Sequence, residues 1–278
     1  MTNHKIIESE EPSWPKEVYK YRDWNVRFHS GILTQKEVFF SPPSGFEDPL
    51  DCKNHIRYDL LTDEDIFQKY LHYSHLDETH AGWSRQQHRK YARANAKRSP
   101  MKDKGMRLKF QQDSFNELDA RLGILSLAER PNNIRMWEAY SNNHTGFCVG
   151  FNPRIMFPFL GGGGPVFYCD ELPTIYPTPK DSMEEQHGKQ VFSKLRKWEF
   201  EEEYRTHKFN EKGFAKDENG RDERVIVLPA EAYTEVILGA LATPEVKSQI
   251  IEAVRQILPH VTLKQAILDN QGIRIVTL

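Results

Sequence analysis

The stretch WEFEEEYR, residues 198–205, places four glutamates among three aromatic side chains and ends on an arginine. Aromatic residues favour extended structure, in which side chains alternate between two faces, whereas the glutamates would also allow the predicted helix before the run to continue into it. An extended chain would bring four charged side chains to one face: Glu199, Glu201, Glu203 and Arg205. Neighbouring carboxylates of this kind can bind a substrate hydroxyl or stabilise a developing positive charge. The alternative is a solvated acidic edge, because runs of charge usually face water.

A complementary cationic pattern lies near the start of the chain, in YKYR, residues 19–22. The alternation of EVYKYRDW predicts a first strand with Lys20 and Arg22 on the same face. Arginine binds phosphate and carboxylate groups through two parallel hydrogen bonds, so this face is a candidate anion site, with Tyr21 beside it. The alternative is that Arg22 pairs with an internal acid, for instance one in the loop EDPLD.

The loop FFSPPSGFEDPLDC, residues 39–52, follows a predicted second strand and contains three prolines. Proline fixes φ and removes a backbone donor, so the loop is expected to be rigid and to hold Asp48 and Asp51 in defined places. Those aspartates either serve a site or cap the turn that follows.

A third candidate group precedes the apolar segment GFCVGF, residues 146–151. Trp137 and Tyr140 are three residues apart and share a face of a predicted short helix. His144 lies where the next strand begins, and an imidazole there can act in proton transfer if it meets a cleft, although a structural histidine is equally compatible with the position. No Cys or His stands near His144 at ligand spacing, so no metal site is expected.

The formal net charge of −2 conceals a basic segment. Residues 81–110 contain ten lysines and arginines against one aspartate, a charge of +9, and the rest of the chain carries −11. Four of these cations recur every four residues along a predicted helix: Arg85, Arg89, Arg93 and Lys97. Such a row suits a nucleic-acid backbone. The alternative is a solvated helix that offsets the acidic remainder.

Strand and helix patterns mix without strict alternation, which predicts an α+β fold: a mixed, largely antiparallel sheet with flanking helices. GFCVGF is expected to be a strand buried on both faces. A helix is expected over residues 113–123, ended by Gly123, and a loop rich in glycine and proline over residues 152–180. Residues 1–15 are expected to be a flexible arm, followed by a single domain over residues 16–278 with a basic helical insertion at about 62–112.

Composition narrows the class of protein. With 38% hydrophobic and 28% charged residues, the chain has a globular composition. Its three cysteines form no CxxC pair, which argues against a disulfide framework or a zinc ribbon. The polar N-terminus and the lack of a long apolar run predict a soluble cytoplasmic protein that does not enter membranes.

Taken in order, YKYR, FFSPPSGFEDPLD, MWEAYSNNHTGFCVGF and WEFEEEYR resemble the motifs of a bacterial and phage family known as domain of unknown function 2971. The family pattern combines YKYR with phrases close to FSSPxxFNDPFD, MWxxYxxxHxGFCxGF and WxxExEWR. The resemblance extends from about Val18 to Gly239. Glu47 and Leu50 depart from the pattern, whereas Asp48 and Asp51 agree with it.

More distantly, the order of a first-strand arginine, an aromatic-Ser second strand and a late Glu-x-Glu is similar to that of ADP-ribosyltransferases. The resemblance implies that Arg22 orients NAD, that Ser41 supports the nicotinamide ribose and that Glu203, with Glu201 as accessory acid, engages the ribose as nicotinamide leaves. NAD is the implied substrate, with Tyr21, Tyr140 and Arg205 as further binding residues and His144 as a further catalytic candidate.

The leading hypothesis is therefore an NAD-dependent ADP-ribosyltransferase or NAD glycohydrolase, toxin-like or acting in phage defence, with a protein or nucleic acid as target. One alternative is a nucleic-acid-binding or nucleolytic module that uses the basic helix. Another is a non-enzymatic regulatory or interaction protein. The sequence does not indicate an oligomeric state.

Overall fold

The computed structural model describes residues 14–278, so all but the last two residues of the expected arm lie outside the described part. The described strands are β1 (Val18–Arg22), β2 (Glu37–Phe39), β3 (Leu122–Ala128), β4 (Phe147–Phe151), β5 (Gly164–Pro165), β6 (Phe167–Cys169), β7 (Ser193–Leu195), β8 (Glu203–Phe209), β9 (Val225–Val227), β10 (Tyr233–Leu238), β11 (Thr262–Asp269) and β12 (Gly272–Thr277). The described α-helices are α1 (Arg27–Thr34), α2 (Asp63–Leu76), α3 (Arg85–Lys97), α4 (Lys104–Arg121), α5 (Ile134–Tyr140), α6 (Pro153–Leu160), α7 (Met183–Val191) and α8 (Pro244–Ile257).

One eight-stranded sheet organises the protein, in the order β12-β11-β10-β4-β1-β3-β8-β5. Its neighbours are antiparallel except for the parallel pair β10 and β11. Two small two-stranded sheets, β2 with β9 and β6 with β7, lie beside it. This confirms the predicted α+β class, with a mixed, largely antiparallel sheet and flanking helices.

Both faces of the sheet carry core, as the apolar segment GFCVGF predicts. All five residues of β4 are buried. On one face, the apolar side chains of β4 and β10 pack against α1, α6 and α8. On the other face, α5 packs through Met136 and Trp137 against Tyr19 and Tyr21 of β1. Strand β1, which carries Arg22, is therefore fixed between two apolar layers.

The basic segment belongs to a helical layer with a small core of its own. Helices α2 and α3 bury Ile66, Phe67, Ala92 and Ala96 against each other. Each begins with a capping box, at Thr62 and at Ser84, which satisfies otherwise unpaired N-terminal amides. None of the helices between residues 14 and 278 combines the length and apolarity needed to cross a membrane.

Three local predictions were wrong. Helix α4 begins at Lys104 and not at residue 113, and Gly123 lies within β3. Helix α6 interrupts the expected loop 152–180, with Asn152 as its N-cap and Gly161 in the left-handed conformation at its end. The run WEFEEEYR is not extended throughout, because Arg196–Glu201 form a 3-10 helix and Glu202 has a φ of 44°.

The sheet opens between β1 and β3. Strand β1 pairs with β4 over five residues but with β3 only through Tyr19 and Ala128. Farther along the edge of β3, Ile124 pairs instead with Ser41, which follows β2. Between these two contacts the Lys20 ammonium donates a hydrogen bond to the Ser126 carbonyl oxygen. The separation of the two strands leaves a cleft into which β1, β3 and the Ser41 loop all face.

Candidate functional site: a cleft with cationic and acidic walls

The cleft has a volume of about 580 Å³, within the range of small-molecule sites. One wall comes from the end of β1 and the start of α1, with Lys20, Arg22 and His29. The facing wall comes from distant parts of the chain. Its polar and aromatic members are Tyr140, Lys194, Trp198, Glu201 and Glu203. The fold thus brings Arg22 and the Glu-x-Glu pair to the same cleft.

Arg205 lies buried beneath the acidic wall and holds two of its carboxylates in place. Its guanidinium binds Glu203 through two hydrogen bonds of 2.7 and 2.9 Å and Asp51 through two of 2.9 and 2.6 Å. Its fifth N–H donates to the Val191 carbonyl oxygen at 2.6 Å. A guanidinium has five N–H donors, and these five hydrogen bonds use all of them. The side chain is fully buried, yet none of its donors is left without an acceptor.

Lys194 is the second buried cation, and the sequence did not indicate it. Its ammonium contacts Glu201, Glu203 at 3.0 Å and Asp51 at 3.3 Å. It lies on the short strand β7, in the unremarkable sequence SKL, and its partners come from two separate segments, the loop 39–52 and the run 198–205. Only the tertiary fold identifies it, because no local pattern distinguishes this lysine from an exposed one.

The two glutamates have different protonation chemistry. Burial alone would raise the pKa of Glu203, but the Arg205 guanidinium and the Lys194 ammonium lower that pKa to about 2. Burial raises the pKa of Glu201 above its usual value, and the neighbouring charge of Glu203 adds to the effect while Lys194 opposes it. Glu203 is thus held ionised, whereas Glu201 is the more easily protonated of the pair.

The glutamates also differ in how many acceptor sites are occupied. The Glu203 oxygens accept two hydrogen bonds from Arg205 and one from Lys194. The Glu201 oxygens accept one from Lys194 and one, at 2.7 Å, from the Tyr140 hydroxyl. Since an ionised carboxylate offers about four lone-pair sites, Glu201 keeps more capacity for a ligand.

Opposite the acids, the cations of β1 form no ion pair with a carboxylate of residues 14–278. Burial lowers the pKa of Arg22 to about 10, with no carboxylate opposing that shift, and its guanidinium donates to the Tyr21 carbonyl oxygen at 3.4 Å. Burial and the charge of Arg22 lower the pKa of Lys20, against a weaker opposing effect of Glu203. Burial together with both cations lowers the pKa of His29 to about 4.

The rigid loop contributes to the cleft as expected, and its two aspartates have different roles, Asp51 in an ion pair and Asp48 at the turn that follows it. Asp51 pairs with Arg205 and not with Arg22. Asp48 accepts a hydrogen bond from the Leu50 amide at 3.2 Å and lies 3.6 Å from the Lys197 ammonium. Ser41 lines the cleft, and its hydroxyl donates to the Pro42 carbonyl oxygen at 3.1 Å.

Three proposed site residues have side chains directed elsewhere. The Tyr21 side chain lies on the opposite face of β1, where its hydroxyl donates to the Arg130 carbonyl oxygen at 2.6 Å and its ring meets Trp137 edge-on. His144 ends a left-handed turn, with a φ of 66°, that places its buried ring parallel to Trp137 and outside the cleft lining. Arg205 is fully buried and cannot contact a ligand directly.

Other observations concern metals and the basic helix. Within residues 14–278 no group of three or more His, Cys, Asp and Glu side chains is arranged to hold a metal ion. The four predicted nucleic-acid residues lie on α3, apart from the lining of the cleft. Comparison of the chain with protein-family models, with curated proteins and with solved structures finds no match.

Proposed function

We propose that this protein cleaves NAD at its nicotinamide-ribose bond and passes the ADP-ribosyl group to water or to a target, as a cytoplasmic ADP-ribosyltransferase-like enzyme of toxin or phage-defence type. One observation carries the proposal. The Arg22 guanidinium, which pairs with no described carboxylate, opens onto the same cleft as Glu201 and Glu203. A dinucleotide needs both walls, because it carries a diphosphate and a ribosyl group that becomes positively charged when nicotinamide leaves.

The cationic wall suits the diphosphate. Arg22 and Lys20 extend from the same face of β1, and both have pKa values lowered by burial. Binding an anion between them relieves the cost of keeping two charges close together and away from water. Arginine also matches the geometry of phosphate oxygens better than lysine does, which supports Arg22 as the principal contact.

The acidic wall suits the developing positive charge. As the C–N bond breaks, its electron pair moves to the pyridinium nitrogen and positive charge appears on the ribose, where a fixed carboxylate lowers the barrier. A nucleophile then forms the new bond to the same carbon and loses its proton. We assign the ribose contact to Glu201, because it retains free acceptor capacity. Glu203 holds Lys194 and Arg205 in place.

The proposal is tested by measuring nicotinamide release from NAD by the purified protein and by the Glu201→Gln variant. The substitution removes the negative charge and preserves shape, so turnover is expected to fall by at least about 100-fold, as for other groups that stabilise transition-state charge. Glu202→Gln is the matched control, because Glu202 pairs with Arg130 outside the cleft, and it should retain wild-type turnover.

Absence of nicotinamide release from the wild-type protein, with protein and nucleic-acid acceptors both supplied, would contradict the proposal. If NAD also fails to raise the melting temperature while Glu203→Gln lowers it strongly, the polar cluster is a structural anchor. The non-enzymatic interpretation is then the better one.

A further inference from the structure

The exposed face of α3 is a row of cations. His88, Ala92 and Ala96 face inward and are buried. Since residues three and four apart share a helix face, the outward face carries Lys90, Arg93 and Lys97, all exposed. Arg85 lies at the exposed start of the helix, whereas Arg89 packs over the Phe67 ring at 5.5 Å. Of the four residues in the predicted row, Arg93 and Lys97 therefore lie in the exposed row, which Lys90 completes.

These cations are not neutralised by the protein. Of the ten lysines and arginines in residues 81–110, Lys102 alone forms an ion pair with a carboxylate of the described residues, with Asp63 at 2.6 Å. Arg107 donates to the carbonyl oxygens of Met101 and Lys102, both at 3.1 Å. Like charges at this helical spacing repel one another, so the bare row costs stability that a bound polyanion would relieve.

The neighbouring aromatic rings face one another and not the cationic row. His80 stacks on Trp83 with ring centres 3.6 Å apart, and Tyr91 meets Trp83 at 5.6 Å. Proteins that bind single-stranded nucleic acid rely on aromatic rings free to stack on bases. The exposed face of α3 offers cations and no free aromatic ring, which indicates contact with phosphates.

We propose that the exposed face of α3 binds the phosphate backbone of duplex DNA without sequence preference, independently of the chemistry in the cleft. An α-helix fits the major groove of B-form DNA, whereas the deep and narrow major groove of duplex RNA excludes side chains. Lys90, Arg93 and Lys97 span about 10 Å of helix, a length over which the axis of a DNA duplex carries about three phosphates on each strand.

The test measures binding of a labelled duplex of about 20 base pairs, two helical turns, to the full chain in the absence of NAD. The variant Lys90→Glu/Arg93→Glu/Lys97→Glu is expected to bind at least about 10-fold more weakly at low salt. Its dependence of log Kd on log salt concentration should be shallower by about 2.7, at about 0.9 for each lost phosphate contact.

The matched control is Lys212→Glu/Lys216→Glu/Arg255→Glu, which makes the same change in net charge at exposed positions away from α3. It should keep most of the wild-type affinity. Equal weakening by both triple variants would mean a general charge effect and would overturn the proposal, as would tighter binding of a single strand or of duplex RNA. The variant Lys90→Gln/Arg93→Gln/Lys97→Gln removes the same charges without reversing them. If its melting temperature equals that of the wild type, weaker DNA binding by this variant is not due to loss of the fold.

Because NAD is absent from this assay, failure to bind DNA leaves nicotinamide release untouched, and loss of nicotinamide release leaves DNA binding untouched.

Discussion

At the residue scale, the unusual feature is the amount of buried charge beneath the cleft. Asp51, Glu201 and Glu203 meet only two cations, Lys194 and Arg205, in this network. Buried ion pairs seldom stabilise a fold more than apolar residues of the same size would. A network that leaves one carboxylate in excess beside an open cleft is better explained by a ligand than by stability.

Removing Arg205 should expose the cost of this network. Arg205→Met leaves Asp51 and Glu203 without their main partner in a buried place, so the free energy of unfolding is expected to fall by about 3–5 kcal/mol. Urea unfolding measures the change. Arg130→Met, which breaks the exposed pair with Glu202, is the control and should cost less than about 1 kcal/mol. If both variants lose a similar free energy of unfolding, Arg205 contributes no more to stability than an exposed ion pair does.

Arg22 should behave in the opposite way. Its pKa is lowered by burial, so its charge opposes folding. Arg22→Met is expected to raise the free energy of unfolding by about 1 kcal/mol while weakening NAD binding at least about 10-fold, since it removes the diphosphate contact. Urea unfolding and calorimetric titration with NAD measure the two effects. If Arg22→Met unfolds more easily and binds NAD normally, then the charge of Arg22 does not oppose folding and Arg22 does not contact the diphosphate.

Sequence reasoning at this scale worked where residue type was decisive and failed where partners were distant. Arginine on an alternating strand and a Glu-x-Glu pair are visible in the chain, and the fold brings Arg22, Glu201 and Glu203 to one cleft. Lys194 has no local signal, because its role depends on contacts with segments up to about 140 residues away in sequence. His144 looked available for chemistry because it lies where a strand begins, but the left-handed turn before that strand places its ring in the core.

At the element scale, strand β8 combines the acidic wall with a histidine pair. His207 of β8 and His187 of α7 have their Nε2 atoms 3.0 Å apart. Burial, and then the neighbouring His187, lower the pKa of His207 to about 4 from its ordinary value of 6.5. Two imidazoles at this distance share one hydrogen bond only if at least one is neutral. The hydrogen bond that joins α7 to β8 therefore depends on pH.

This pair predicts acid sensitivity. Between pH 6.5 and about 4 the unfolded chain binds more protons at His207 than the folded chain does, so stability falls as pH falls through that window. His207→Phe removes the group and should make the melting temperature fall less steeply from pH 6.5 to 4. Thermal melts at several pH values measure it, with the exposed His55→Gln as control. An unchanged slope in His207→Phe would refute the prediction.

Sequence patterns predicted elements well where periodicity and caps agreed. The Thr62 cap and the acidic first turn predict α2, and the apolar run predicts β4. Helix α6 was missed because Pro153 and Pro158 suggested a loop, although Pro153 occupies the first helical position, where proline is favoured. For the run before β8, extended structure was preferred to helix continuation because of its aromatic residues, and a 3-10 helix forms over Arg196–Glu201 instead.

At the scale of the whole molecule, the candidate site and the excess positive charge lie in different parts of the fold. The eight-stranded sheet carries the cleft, while residues 81–110, which include α3 and the first part of α4, carry a charge of +9. Fold class followed from the mixture of strand and helix patterns. The strand order did not, because pairing such as β3 with β8 joins segments about 80 residues apart, and only tertiary packing selects it.

The single pairing between Tyr19 and Ala128 divides the large sheet into two parts, β12 to β1 and β3 to β5. Few backbone hydrogen bonds cross this seam, where the side chains of β1, β3 and β4 pack into one core and join the two parts. A ligand that contacts both Arg22 and Glu201 would add a further link between them. Amides on both sides of the seam, at Lys20 and Leu127, are expected to exchange with deuterium more slowly when NAD is bound, while those of β11 and β12 stay unchanged. Binding in the cleft would then make the sheet stiffer at the seam without any change of overall shape, and slower amide exchange would detect that binding.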